Sequence, residues 1–188
     1  AGYWILTPLR TADGIVLVEL SGPDAVRQAL TQARRDGEAR RGFEVSTLAY
    51  VHVDADRRAA REAVAAQVAQ RVLEHAPSIR ALPFADELVA LVRDDGPAGL
   101  VTMPDAWWRE LAPVGTPDDV LAFLEALAAA GADAVALFPV ADLAVAVQQR
   151  ERVPDLGELI EDRARVGFVN EGRGRLGATV HRLEEVRR

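Results

Sequence analysis

Thr116-Pro117-Asp118-Asp119-Val120-Leu121-Ala122-Phe123-Leu124, running on to Gly131-Ala132-Asp133-Ala134-Val135-Ala136-Leu137-Phe138-Pro139, reads as a capped helix followed at once by a buried strand. Thr116 is placed to cap, Pro117 has its φ preset for the first helical position, and Asp119 stands three residues past the cap. Val120, Phe123, Leu124 and Leu127 then recur at i, i+3, i+4 and i+7, which makes one apolar stripe. Gly131 closes the helix. The apolar run 134–138 is too short for another helix and reads as a strand, which Pro139 stops.

Upstream the order is strand then helix. Residues 43–53 are rich in β-branched and aromatic types (Val45, Thr47, Tyr50, Val51, Val53) and predict a strand. Asp54-Ala55-Asp56 opens a long helix, with Asp54 expected as its cap. Ala60, Val64, Val68 and Val72 mark the buried face, Arg57, Arg58, Arg61 and Glu62 the wet side, and Pro77 the end. Further back, Asp13-Gly14 turns into a nearly continuous apolar strand, residues 15–20. Ser21-Gly22-Pro23-Asp24 then starts a helix, with Ser21 or Gly22 as cap and a stripe of Val26, Ala29, Leu30 and Ala33.

Residues 78–113 form a less regular insertion. It holds one helix at 85–93, a break at Asp94-Asp95-Gly96-Pro97, and a short helix from Pro104-Asp105 carrying Trp107 and Trp108. Adjacent helical residues point about 100° apart, so at most one tryptophan is central to a core. A last helix is expected at 143–152, and beyond Pro154 the pattern weakens to an irregular basic tail. Tyr3 to Leu6 and Val166 to Val169 are weak strand candidates.

Strand–helix alternation of this kind implies an α/β fold with a parallel sheet and right-handed crossovers. A complete eight-unit barrel takes ~250 residues. This chain has 188 and three strong strands, too few to close one.

Composition narrows the chemistry. There is no cysteine, which removes disulfides, thiolate metal sites and cysteine nucleophiles and suits a reducing compartment. All 22 basic residues are arginine, so lysine Schiff bases and lysine-bearing phosphate loops are excluded. Arginine without lysine, with abundant alanine, points to a GC-rich bacterial genome. The net charge of −7 argues against nucleic acid as a partner. It is unevenly spread: Arg163 to Arg188 carries seven arginines against three glutamates. Residues 1–10 lack the features of a signal peptide, and no apolar run approaches the ~18 residues of a membrane span. The expectation is a cytoplasmic protein without a membrane partner.

Three segments together resemble the luciferase-like family of flavin-dependent monooxygenases and F420-dependent oxidoreductases. They are Ala12-Asp13-Gly14-Ile15-Val16-Leu17 with Ser21-Gly22-Pro23-Asp24, Phe43-Glu44-Val45 through Tyr50-Val51-His52-Val53-Asp54, and Gly115-Thr116-Pro117-Asp118-Asp119 through Pro139. Their order looks like the last three strands of that family's (β/α)8 barrel, which makes residues 1–153 the C-terminal part of such a barrel and 154–188 the tail. The resemblance implies an oxidoreductase that binds F420 or FMN and acts on a small-molecule substrate. It also implies missing parts. The N-terminal half of the barrel has no counterpart, and Tyr3-Trp4-Ile5-Leu6-Thr7-Pro8 stands where a Gly-rich phosphate-holding turn is expected. The alternative is a non-catalytic half-barrel serving as an interaction or dimerisation module. Either reading leaves open sheet edges, so a second copy or a partner chain is expected to complete the barrel.

Barrel enzymes place function at the C-terminal ends of their strands. The candidates there are Glu19 and Ser21 after the first strand, His52 on the second, and Phe138 and Pro139 on the third. Glu19 is a carboxylate in an apolar run that needs a partner, a ligand or water. Ser21 is equally explained as a helix cap. His52 has the chemistry to bond a flavin-type ring or act as a general base, or simply to pack. Phe138 and Pro139 suit the wall of a ring pocket, or ordinary packing. Gly172-Arg173-Gly174-Arg175-Leu176-Gly177 has dinucleotide-loop spacing, but only 11 residues follow it, so a flexible Gly/Arg loop is the better reading. His52, His75 and His181 lack metal spacing, and no metal site is expected.

Overall fold

The computed structural model describes residues 14–18, 20–35, 43–139, 166–173 and 179–185. Its centre is β2 (Glu44–Val53), a ten-residue strand with neighbours on both sides. On one side lies β1 (Gly14–Leu17), parallel, with Val16 beside Ser46 and Leu17 beside Thr47. On the other lies β4 (Ala134–Pro139), also parallel, with Ser46 beside Ala134 and Tyr50 beside Phe138. The helix after β1, α1 (Pro23–Arg35), and the helix before β4, α7 (Pro117–Ala130), cover one face. The chain is thus α/β, with the strand and helix arrangement of a partial (β/α)8 barrel.

Burial along β2 alternates, as a strand with unlike faces must. Val45, Thr47, Ala49, Val51 and Val53 are buried, and their valines and alanine join Val26, Ala29, Phe123, Leu124 and Leu127 in the first core. Ser46, Leu48 and Tyr50 are only half-buried. Helix α7 ends as its sequence requires: Thr116 and Asp119 form the reciprocal capping box, and Gly131 is left-handed (φ 100°).

The segment read as an irregular insertion is a helical unit with its own core. After α2 (Arg57–Leu73) come α3 (Pro77–Arg80), α4 (Ala85–Asp95), α5 (Pro97–Thr102) and α6 (Asp105–Leu111). Pro77 and Pro97, read as stops, each begin a helix, because the N–H of a first helical position has no intrahelical acceptor and its absence in proline costs nothing. Val64, Val68, Leu88, Leu100, Trp108 and Leu111 form this second core. Leu20 just past β1, Tyr50 in the carboxyl-terminal half of β2, and Val114, which pairs with His52 near the end of β2, join it. The unit therefore sits over the carboxyl edge of the sheet. Trp108 is the central tryptophan, and its indole N–H donates to the Leu100 carbonyl (3.0 Å). Trp107 stacks on Phe84 with ring centroids 4.7 Å apart.

Two further features depart from the sequence reading. A two-residue strand, β3 (Val114–Gly115), pairs parallel with His52 and Val53. The weak strand at 166–169 is longer, β5 (Val166–Arg173), and pairs antiparallel with β6 (Thr179–Glu185), which in turn pairs antiparallel with β4. The sheet order is β1-β2-β4-β6-β5, so this hairpin lies along the β4 edge where a parallel barrel strand was expected. Gly172 and Arg173 end β5, and the next described element is the strand β6, so among the described residues no helix follows the 172–177 segment. The weak strand at 3–6 and the helix at 143–152 lie outside the described residues.

Helix α1 docks on α6 through one carboxylate. The first turn of α1 is bonded from afar: the Asp24 amide donates to Glu110 Oε2 (2.8 Å), and Arg27 pairs with Asp24. The approach is close enough that a Cβ on Gly22 would stand 2.4 Å from the Glu110 carbonyl oxygen. Gly22→Ala is expected to cost roughly 1–3 kcal/mol by overpacking, read as a lower urea midpoint with unchanged slope.

Burial pushes the Glu110 carboxyl up, and the Asp24 charge adds to this, against the Asp24 amide and Arg27. A raised folded value favours the protonated form, so the associated stability is present at low pH and lost as pH rises through it. Glu110→Gln still accepts from the Asp24 amide. It should match or exceed the parent protein in thermal melts at pH 7 and lose that advantage near pH 4. Glu110→Ala should lose roughly 1 kcal/mol at both.

Candidate functional site at the carboxyl edge of the sheet

Because β1, β2 and β4 run parallel, their carboxyl ends share one edge. The backbone of β2 shows how that edge is built. Within a strand, successive residues direct their amide and carbonyl to opposite sides. Val45 faces β4: its carbonyl accepts from Asp133 N (2.8 Å) and its amide donates to the Asp133 carboxylate (2.8 Å). Even-numbered residues therefore face β1. His52 N donates to Pro113 O (3.3 Å) and Asp54 N to Gly115 O (3.0 Å), so β3 takes the β1 side just where β1 has ended. The chain leaving β1 turns away at Leu20, which has a left-handed φ of 48° and is buried in the second core.

The sequence candidates fall as follows. Ser21 is buried, and its hydroxyl donates to the Val18 carbonyl (3.0 Å), closing the turn out of β1. His52 is 5% exposed, two residues past Tyr50 on the same face of β2 and beside Val114. Phe138 and Pro139 occupy the end of β4, in register with Tyr50 and Val51, and their side chains lie outside the described residues. Glu19 lies outside the described residues altogether. The topology thus brings Ser21, His52, Phe138 and Pro139 to one edge. Asp54 does not cap α2. The cap is Asp56, whose carboxylate accepts from Arg58 N (2.7 Å) and Ala59 N (3.4 Å), while Asp54 accepts from Asp56 N (3.0 Å).

The face that runs down from this edge is the half-open one. Val16 is 60% exposed and Val18 49% exposed, and Ser46, Leu48 and Tyr50 are partly so. It is a mostly apolar strip with the Tyr50 phenol toward its carboxyl end, where the buried His52 follows.

Sequence reading missed an ionic cluster here. Arg57 grips Asp119 with both nitrogens of its fork (Nε to Oδ2 2.8 Å, Nη2 to Oδ1 2.7 Å) and also reaches Asp105 (3.1 Å). Arg61, expected on the wet face, is buried. It pairs with Asp105 (2.6 Å), and its guanidinium carbon lies 5.6 Å from the Trp108 ring centre. One signal was legible: α2 has no acid in its first turn but begins with arginines, against the helix dipole. Basic residues there call for carboxylates from elsewhere in the fold.

Burial acts to raise the Asp119 carboxyl. The Arg57 hydrogen bond, the Thr116 amide and hydroxyl, and the Arg57 charge outweigh it and hold the group at about 2. A depressed carboxylate stabilises the fold above its ordinary value and ceases to do so as pH falls toward the depressed one. Asp119→Asn should therefore cost roughly 1 kcal/mol at pH 6, an amount limited by solvent screening. The gap from the parent protein should narrow steadily in urea titrations taken from pH 4 down to pH 3.

A sequence model of the luciferase-like monooxygenase family matches residues 9–134. Among solved structures, the coenzyme F420 dependent tetrahydromethanopterin reductase from Methanopyrus kandleri matches with a TM-score of 0.43 and 20% identity, over 66% of this chain and 38% of that one. The chain thus spans well under half the length of that relative. No curated protein matches the sequence.

Proposed function

The chain belongs to the luciferase-like monooxygenase family, and from that premise we propose that it is a flavin-type oxidoreductase component, binding F420 or FMN at the carboxyl edge of its parallel strands. The half-open face of β1 and β2 carries the reading. A flat tricyclic ring needs an apolar wall and a few convergent polar groups. Val16, Leu48 and Tyr50 supply the wall, and His52 and the Tyr50 hydroxyl supply the polar end. The bound ring would bring hydride transfer or oxygen activation, which is the cofactor's chemistry. The chain's part is to seat the ring against β2, shield it beneath the helical unit, and offer His52 to a ring heteroatom or to a proton of a small-molecule substrate. F420 is the favoured occupant, by the resemblance of residues 43–54 to the F420-dependent branch and by the arginine-rich, lysine-free composition.

A second reading is favoured by one observation. Val16 and Val18 are exposed on or next to β1, which ends the sheet among the described residues. Large exposed valines at a sheet edge suit a second copy or partner chain that completes the barrel, with or without catalysis. Among the described residues no helix is long and apolar enough to cross a membrane, so neither reading invokes one.

Titration with FMN and with F420, followed by fluorescence, separates the two. Micromolar affinity for either, weakened about tenfold or more by His52→Ala, is expected for the cofactor site. Failure of both to bind at high protein concentration, together with a stable dimer by light scattering, would leave the interaction module as the better account.

A further inference from the structure

We propose that Arg57 and Asp119 form a clamp that seats β3 on the end of β2, making Asp119 a positioning residue for His52. Three observations meet here. First, β3 is two residues long, and its bonds to β2 include the long His52 N–Pro113 O contact of 3.3 Å. Such a strand cannot hold itself. Second, the packing around it is incomplete. Val114 is buried, but it borders a cavity of about 50 Å³ together with Trp108 and Phe123. Third, the chain leaving β2 and the chain leaving β3 are tied just past that pairing. Asp119 binds the amide (2.9 Å) and hydroxyl (2.8 Å) of Thr116, directly after β3, and takes the guanidinium fork of Arg57, the first residue of α2 and four residues past β2.

The second residue of β3, which faces the carboxylate, has to be glycine. Gly115 has φ 146°, and a Cβ there would stand 2.6 Å from Asp119 Oδ2. The carboxylate is thus packed directly on the β3 backbone, and pulling on it through Arg57 presses β3 against β2. A bidentate arginine gives direction as well as attraction, which a lysine would not. With the clamp closed, His52 is held between Pro113 and the body of β2. With it open, the end of β2 is free to fray.

The link from clamp to ring binding rests on the function proposed above, and the clamp itself does not. Both are tested on the full chain. Amide hydrogen exchange is measured for Asp119→Asn, Arg57→Leu and the double variant, with the Val26 and Ala49 amides as internal references. The expected result is that the His52 and Asp54 amides exchange about fivefold faster through a local opening with little urea dependence, distinct from the global unfolding that the reference amides report, at the upper end of what half-exposed ion pairs contribute. The double variant should be no worse than either single one. Exchange of the His52 and Asp54 amides only through the global unfolding that the reference amides report, or additive effects in the double variant, would overturn the clamp.

FMN and F420 titrations of the same proteins supply the second arm. Where the parent protein binds, Asp119→Asn should weaken affinity several-fold, and Arg57→Lys should fall between the two. Undiminished affinity in Asp119→Asn would sink the positioning role. If the parent protein binds neither cofactor, the function proposed above fails, and the exchange data still decide the clamp.

Discussion

Parallel pairing of β2 with a strand on each side is the constraint from which the rest of the molecule follows. Parallel neighbours cannot be joined by a tight turn, so each connection must carry a crossover, and the crossover helices must bury an apolar stripe on the sheet. α1 and α7 do this against the same alternate residues of β2. Parallel direction also gathers every carboxyl end at one edge. Chemistry-bearing residues separated by more than a hundred positions, such as Ser21 and Phe138, thereby come to share that edge.

The same constraint explains the asymmetry of the two faces. A parallel sheet ordinarily has both faces covered. Here one face carries helices and the other, with Val16, Leu48 and Tyr50, stays half-open. In a closed barrel that face would be packed by opposing strands. The hairpin β5–β6 pairs along β4, which leaves β1 as the outer parallel strand. The functional reading and the partner reading are two answers to the same physical question, namely what covers this face.

The helical unit over the carboxyl edge is stitched to the sheet by charge rather than by apolar packing alone. α2, α6 and α7 meet at Arg57, Arg61, Asp105 and Asp119. Individually, such half-exposed pairs contribute little. Joined into a network beside a two-residue strand, they add direction to what packing supplies. Glu110 does the equivalent at the other end of α6, where it meets the first turn of α1.

Much of this was written in the local sequence. The Thr116–Asp119 box, the stripe from Val120 to Leu127, Gly131 as the left-handed stop and the β-branched run of β2 depend on neighbours a few residues away, so they are legible without a fold. The order of elements and the common edge for Ser21, His52, Phe138 and Pro139 followed from them. What the sequence could not specify depends on distant partners. β3 is too short to have a pattern of its own and exists only because β2 offers an unpaired edge beyond β1. Arg61 reads as solvated by helical position, and only the arrival of Asp105 and Trp108 explains its burial. Prolines 77 and 97 stop one helix and start another, a choice set by the core they meet rather than by proline itself. Local hydrogen bonding and periodicity determined the elements. Long-range pairing and charge compensation, which carry no local signature, decided how the carboxyl edge is closed.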